Sequence, residues 1–114
     1  MSNFLVTGGA GFIGSHITEA LLKRGDKVRV FDDFSRGLKS NVPKGAEVIK
    51  GSVTKPEGLI PVLKGINGVF HCAALPSVEL SLQKPEQTLE VNLKGTLNVL
   101  KAMKKGGIKR LVLS

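Results

Sequence analysis

Thr7-Gly8-Gly9-Ala10-Gly11-Phe12-Ile13-Gly14 follows a short apolar run, Phe4-Leu5-Val6, and leads into residues with helical spacing. A strand, a glycine turn and a helix start, in that order, aim backbone N–H groups at an anion. The unpaired amides and the macrodipole of a helix start both favour negative charge. Side chains would block the approach, so glycines are needed at fixed spacing. Gly8 suits the tight turn, Gly11 the close approach of a phosphate, and Gly14 the close packing of helix on strand. The stretch satisfies G-x-x-G-x-x-G and, from Gly9, Gly11 and Gly14, also G-x-G-x-x-G. Asp32 ends the next apolar run, eighteen residues beyond Gly14. That is the context required of the pyrophosphate turn of a dinucleotide site. Asp32, with Asp33 beside it, is suited to accept hydrogen bonds from the adenosine ribose hydroxyls, and its charge repels a 2′-phosphate. NAD is therefore expected over NADP, although Arg36 in the following loop is a guanidinium able to pair with such a phosphate.

Outward from the turn, strand and helix patterns alternate with short connections, which argues for a parallel sheet covered on its faces. Phe12, Ile13, Ile17, Ala20 and Leu21 recur at helical spacing, and Lys23-Arg24-Gly25 supplies a basic last turn and a glycine stop. Val28-Arg29-Val30-Phe31 reads as the second strand, Phe34 to Lys44 as a loop with room for one helical turn, and Glu47-Val48-Ile49 as a third strand. Thr54-Lys55-Pro56-Glu57 has the form of a capping box for a helix burying Leu59, Val62 and Leu63, kinked or partly 3₁₀ at Pro61. Gly68-Val69-Phe70-His71 leads a fourth strand into Cys72-Ala73-Ala74. The longest helix opens at Pro85, carries Leu89, Leu93, Leu97, Leu100 and Met103 on one face, and closes at Lys104-Lys105-Gly106-Gly107; Arg110-Leu111-Val112-Leu113 is a fifth strand. Right-handed crossovers give an α/β, Rossmann-type doubly wound parallel sheet of order 3-2-1-4-5, expected to be truncated after the fifth strand. Residues 1–114 then form one NAD-binding part, with its ligand at the carboxyl ends of the strands, where the order reverses between the first and fourth.

Composition narrows the rest. The chain has 114 residues, 41% hydrophobic and 4% aromatic, which fits one small aliphatic α/β domain. Its net charge of +8 comes from basic residues scattered as Lys23, Lys44, Lys64, Lys84 and Lys104, without aromatic interleaving, so a nucleic-acid partner is not expected. No apolar run reaches the roughly 20 residues of a membrane span. The start, Met1-Ser2-Asn3, lacks the flank of a signal peptide, and the one cysteine, Cys72, cannot build a disulfide framework or a cysteine-rich metal site. A cytoplasmic location is the resulting expectation.

Four spaced motifs, Thr7 to Gly14, Val30-Phe31-Asp32-Asp33-Phe34-Ser35, His71-Cys72-Ala73-Ala74 and Asn92-Leu93-Lys94-Gly95-Thr96-Leu97-Asn98-Val99-Leu100, together resemble the extended short-chain dehydrogenase/reductases, the NAD-dependent nucleotide-sugar epimerases and dehydratases. Within that family, Ala74-Leu75-Pro76-Ser77-Val78 is most similar to the UDP-hexose and UDP-N-acetylhexosamine 4-epimerases. The resemblance implies further cofactor contacts: Phe12 and Ile13 at the pyrophosphate, Ser52 and Val53 at the adenine, and Ala73, Ala74 and Leu75 behind the ribose and nicotinamide. Two positions depart from the pattern. Ser52 stands where the family usually has Asp, and Pro76 where the galactose epimerases often have Lys. Asn92 has a cofactor role and a structural role open to it, and His16, His71, Cys72, Ser77 and Ser81 read as packing or surface residues.

The resemblance also implies a Tyr-x-x-x-Lys pair and a nearby Ser that move a proton while NAD takes and returns a hydride. The chain contains no tyrosine, so no catalytic residue is assigned, and the chain alone is expected not to turn over. A nucleotide sugar is expected as partner only with a further C-terminal region. Two function classes follow: the cofactor half of such an enzyme, or a stand-alone dinucleotide-binding or interaction module. The helix from Pro85 to Lys105 resembles one wall of the family's dimer interface, which adds a homodimer, or self-association through an open sheet edge, to the expectations.

Overall fold

The computed structural model describes residues 1–74 and 82–114. Five parallel strands form one sheet: β1 (Asn3–Thr7), β2 (Lys27–Asp32), β3 (Glu47–Lys50), β4 (Gly68–His71) and β5 (Arg110–Leu113). Their order is β3-β2-β1-β4-β5, the doubly wound order that the alternating pattern implies. β1 is central, with Thr7 in register with Phe31 of β2 on one side and with His71 of β4 on the other. The carboxyl ends of the three strands therefore lie side by side.

Alternation along β1 divides its side chains between two cores. Phe4 and Val6 pack with Val28, Val30 and Leu21 beneath α1 (Phe12–Lys23). Leu5 points the other way, into a larger cluster with Phe31, Val53, Leu59, Val69, Val99 and Met103. This second face is covered by α2 (Leu59–Val62) and by a helical run comprising α3 (Pro85–Leu89), a π-helical segment (Glu90–Lys94) and α4 (Gly95–Gly106). Gly107, with φ 73°, ends that run in the left-handed region that glycine adopts without strain.

Two expectations are corrected. Thr54 to Glu57 is not a capping box. The 3₁₀ turn Pro56–Gly58 starts from Lys55 without a side-chain cap, and the Thr54 hydroxyl instead meets Ser52 Oγ at 2.8 Å. The two hydroxyls satisfy one another, and the short 3₁₀ turn running into the four-residue α2 agrees with the break expected near Pro61. The leucines of the long helix do share a side, but mostly the outer one: Leu89, Leu93, Leu97 and Leu100 are exposed, whereas Met103 is buried. The inward face of α4 is Gly95, Asn98, Val99, Ala102 and Met103. Gly95 sits there because a Cβ would run into the Val53 side chain at 2.6 Å. Helical spacing groups residues on a face without saying which face meets the sheet.

Candidate functional site

The turn between β1 and α1 is built from four glycines with separate structural tasks. Gly8 has φ 69°, and its backbone lies against Cys72 and Ala73, so a side chain there is excluded twice over. A Cβ on Gly9 would strike the Val30 side chain at 2.6 Å, and one on Gly14 would collide with the carbonyl oxygen of Gly8. Gly11 is different. It is extended (φ −83°, ψ 179°), and a Cβ there would meet only Gly8 O at 3.4 Å. Three glycines are explained by the protein's own packing, while Gly11 has room for a Cβ and stands at the N-cap of a twelve-residue helix that no side chain caps. Next to it Phe12 and Ile13 are exposed, Phe12 with its ring 4.5 Å from that of His16. His16 Nδ1 donates to Phe12 O at 2.7 Å and stays at the surface.

Asp32 closes the other side of the turn. Its carboxylate is nearly buried, with Oδ2 accepting from Ala10 N–H at 2.9 Å and Oδ1 from Phe34 N–H at 2.7 Å. Each oxygen keeps acceptor capacity for a further donor. Asp33 is exposed and takes up Ser35, its Oδ1 accepting from both N–H (2.9 Å) and Oγ (2.7 Å). Phe34 between them has φ 61°, a conformation an aromatic residue seldom adopts. The loop then folds back on the turn: Ala10 O accepts from Leu38 N–H at 3.2 Å and Asn41 Nδ2 at 3.0 Å, and Gly37 lies too close to Ala10 to carry a Cβ. Ala10, Gly37 and Asn41 escaped the sequence reading, because nothing in an Ala, a lone loop Gly or an Asn announces a contact with a turn so far back in the chain. Arg36 is exposed in this loop.

The remaining positions lie around the same crevice. Ser52 follows β3 and is half-buried, its Oγ also accepting from Thr54 N–H at 3.2 Å. The Val53 side chain belongs to the core and its carbonyl accepts from Asn98 Nδ2 at 2.9 Å, so any ligand contact it makes runs through its backbone. Ala73 and Ala74 follow β4, Ala73 half-buried against Gly8 and Ala74 exposed. Leu75, Pro76, Ser77, Val78 and Ser81 lie outside the described residues. Asn92 is in the π-helical segment, half-buried, with its carbonyl accepting from Thr96 Oγ1 at 2.7 Å. Burial holds the His71 imidazole below its ordinary pKa and pushes the Cys72 thiol up, so neither is activated as a cation or a nucleophile. Among the described residues there is no group of three His, Cys, Asp or Glu able to hold a metal ion, and no helix long and apolar enough to cross a membrane. A hollow of about 660 Å³ lies at the opposite end of the sheet, between α2 and the end of α4.

An uncapped helix start at Gly11 and a fixed carboxylate at the end of β2 thus lie together at the carboxyl end of the central strand. The sequence model of the NAD dependent epimerase/dehydratase family matches residues 4–114. The chain belongs to that family. A UDP-glucose 4-epimerase of Streptomyces lividans is 38% identical over 114 residues, covering 97% of the chain and 35% of that relative. A human sterol-4-alpha-carboxylate 3-dehydrogenase, decarboxylating, is 39% identical over 109 residues, covering 96% and 27%. The crystal structure of UDP-glucose 4-epimerase from Thermus thermophilus in complex with NAD superposes with a TM-score of 0.90 at 43% identity, covering 96% of the chain and 36% of that structure. The chain spans about a third of the length of the relatives it matches. The family's Rossmann-type sheet is present in it, in the order expected from the sequence.

Proposed function

We propose that this chain is the NAD-binding portion of a nucleotide-sugar epimerase or dehydratase, of the UDP-glucose or UDP-N-acetylhexosamine 4-epimerase type. The observation that carries the reading is the contrast at the glycine turn: Gly8, Gly9 and Gly14 are required by packing, while Gly11, at the uncapped start of α1, has room for a Cβ in ordinary contact with Gly8 O. The residues fit the cofactor. The pyrophosphate sits over Gly11 and the first turn of α1, flanked by Phe12 and Ile13, with Gly8 and Gly14 fixing the turn that presents those amides. Asp32 receives the adenosine ribose through its remaining acceptor capacity, and Asp33 orders the loop start beside it. The adenine lies by Ser52 and the backbone of Val53; the nicotinamide half lies by Ala73 and Ala74, with Asn92 near the cofactor. When bound, NAD supplies a hydride acceptor. These residues bind and orient it, and none of them is placed to take a proton from an alcohol. Hydride removal from an alcohol needs a general base, and without a tyrosine the chain alone does not turn over a nucleotide sugar.

The NAD dependence of the family and the NAD bound in the Thermus thermophilus structure support the cofactor; the Streptomyces lividans relative supports the substrate class. Calorimetric titration with NAD and NADP tests the reading. NAD binds, NADP binds more weakly, and Gly11→Ala or Asp32→Ala abolishes the NAD signal. A folded chain that takes up no NAD overturns it, and turnover of UDP-glucose by the purified chain overturns the statement that it is inactive alone.

A further inference from the structure

Thr7 and His71, register partners at the ends of β1 and β4, are both buried and joined through a chain of hydrogen bonds that continues to Thr96 and Asn92. Thr96 has a single hydroxyl proton, and it goes to Asn92 O at 2.7 Å, since a carbonyl only accepts. Thr96 Oγ1 must then accept from His71 Nε2, 3.0 Å away. The imidazole is therefore protonated at Nε2 and, being neutral, presents a lone pair at Nδ1. Thr7 Oγ1 lies 2.6 Å from that lone pair and donates to it. The same Thr7 oxygen accepts from Ala73 N–H at 3.2 Å and from Cys72 N–H at 3.1 Å, the latter shared with Thr7 O at 3.0 Å. Reversing the ring would set N–H against an oxygen that already serves two amides, and Nε2 would find a donor in Thr96 only if that hydroxyl gave up Asn92 O.

We infer that His71 is a positioning residue: through Thr7 and Thr96 it locks the backbone of Cys72 and Ala73 at the crevice to the helical turn at Asn92. The inference rests on the reading of the crevice as a dinucleotide site. Ala73 and Asn92 come from segments about twenty residues apart in sequence and flank the same end of the sheet. Gly8 lies against the Ala73 backbone, so the relay also fixes what the glycine turn rests on. Each link is a neutral group with one available role.

The test combines Thr96→Val, which keeps shape and removes the hydroxyl, with Thr96→Ser, which restores it. In the unmodified chain, nitrogen-15 NMR of His71 shows one neutral tautomer with the proton on Nε2. Thr96→Val speeds amide exchange at Cys72 and Ala73 by about tenfold, although Thr96 touches neither, and weakens NAD binding by about three- to tenfold. Thr96→Ser returns both to within about twofold of the original. A proton on Nδ1, or averaging between tautomers, overturns the inference even if Thr96→Val fails to fold. Unchanged exchange at Cys72 and Ala73, or no recovery with Ser, also overturns it. If the unmodified chain binds NAD and Thr96→Val binds it equally tightly, the inference alone falls. If the relay responds as described while the unmodified chain binds no NAD, the reading of the crevice falls, and the positioning role with it.

Discussion

Substituting alanine at Gly11 and at Gly14 should separate ligand binding from folding at positions three residues apart. At Gly14 the added Cβ collides with the Gly8 carbonyl and lies 2.8 Å from Gly9 Cα. Those are backbone atoms of a turn clamped between β1 and α1, so the strain cannot be relieved by a side-chain rotation. Overpacking of this kind costs about 1–3 kcal/mol, or a fall in melting temperature of about 4–12 °C for a chain of this size. At Gly11 the dihedrals, φ −83° and ψ 179°, are open to alanine, and the sole contact is 3.4 Å. Loss of glycine at an N-cap costs about 0.5–1 kcal/mol. Reduced freedom of the unfolded chain offsets it by about 0.4–1 kcal/mol. The net change in Gly11→Ala is then under about 1 kcal/mol, or less than about 4 °C. On the proposed reading its Cβ stands where the pyrophosphate approaches the start of α1, so calorimetry with NAD should show binding lost from a protein as stable as the original. If Gly11→Ala melts as early as Gly14→Ala, or binds NAD undiminished, the division of labour among the glycines is wrong.

Other outcomes follow from the same geometry. Asp32→Asn should weaken NAD binding and also destabilise the fold by about 1–3 kcal/mol in a denaturant titration, because its NH₂ would face either Ala10 N–H or Phe34 N–H. A variant of undiminished stability would show that those two bonds contribute nothing. Burial lowers the His71 pKa, so the unfolded chain takes up a proton at higher pH than the folded one. The stability this confers is present above the ordinary imidazole value of 6.5 and is lost as pH falls from there through the lowered value. Chemical denaturation of the His71→Gln variant should lack this part of the pH profile. Cys72, raised by burial from its ordinary value of 9.0, should react with iodoacetamide far more slowly than a free thiol at about pH 7.5; rapid labelling of the folded chain would refute that. Leu93 and Leu97 are exposed on the long helix, and a homodimer through that side predicts that Leu93→Lys with Leu97→Lys shifts sedimentation to a monomer; a monomeric parent chain would dismiss it.

Much of the fold was legible because each segment carried one dominant signal. The apolar run Phe4-Leu5-Val6 and the glycine turn before a helical pattern together imply the first strand and its crossover, and the order of the sheet follows from handedness. The long helix was less transparent. Its leucines looked like a buried stripe, yet Gly95 and Asn98, small and polar, are what the sheet side needs, since Val53 fills the space over Gly95 and Val53 O uses the Asn98 amide. The π-helical segment at Glu90–Lys94 left no local mark in composition. At the site, Gly8, Gly14 and Asp32 were readable from spacing, but the bonds from Asn41 and Leu38 to Ala10, and the directed relay through His71, join residues that only the folded topology brings together.

The two amides held by Asp32 bear on how cofactor preference changes over time in a lineage. A switch toward a phosphorylated ribose would call for loss of the negative charge. Here that charge also ties the glycine turn to the Phe34–Asn41 segment from both oxygens. On the proposed reading, a neutral replacement therefore loosens the turn beside Asp32 in the same step that relaxes selectivity. A redesign that admits a 2′-phosphate would therefore need new acceptors for the Ala10 and Phe34 amides as well as a cation for the phosphate.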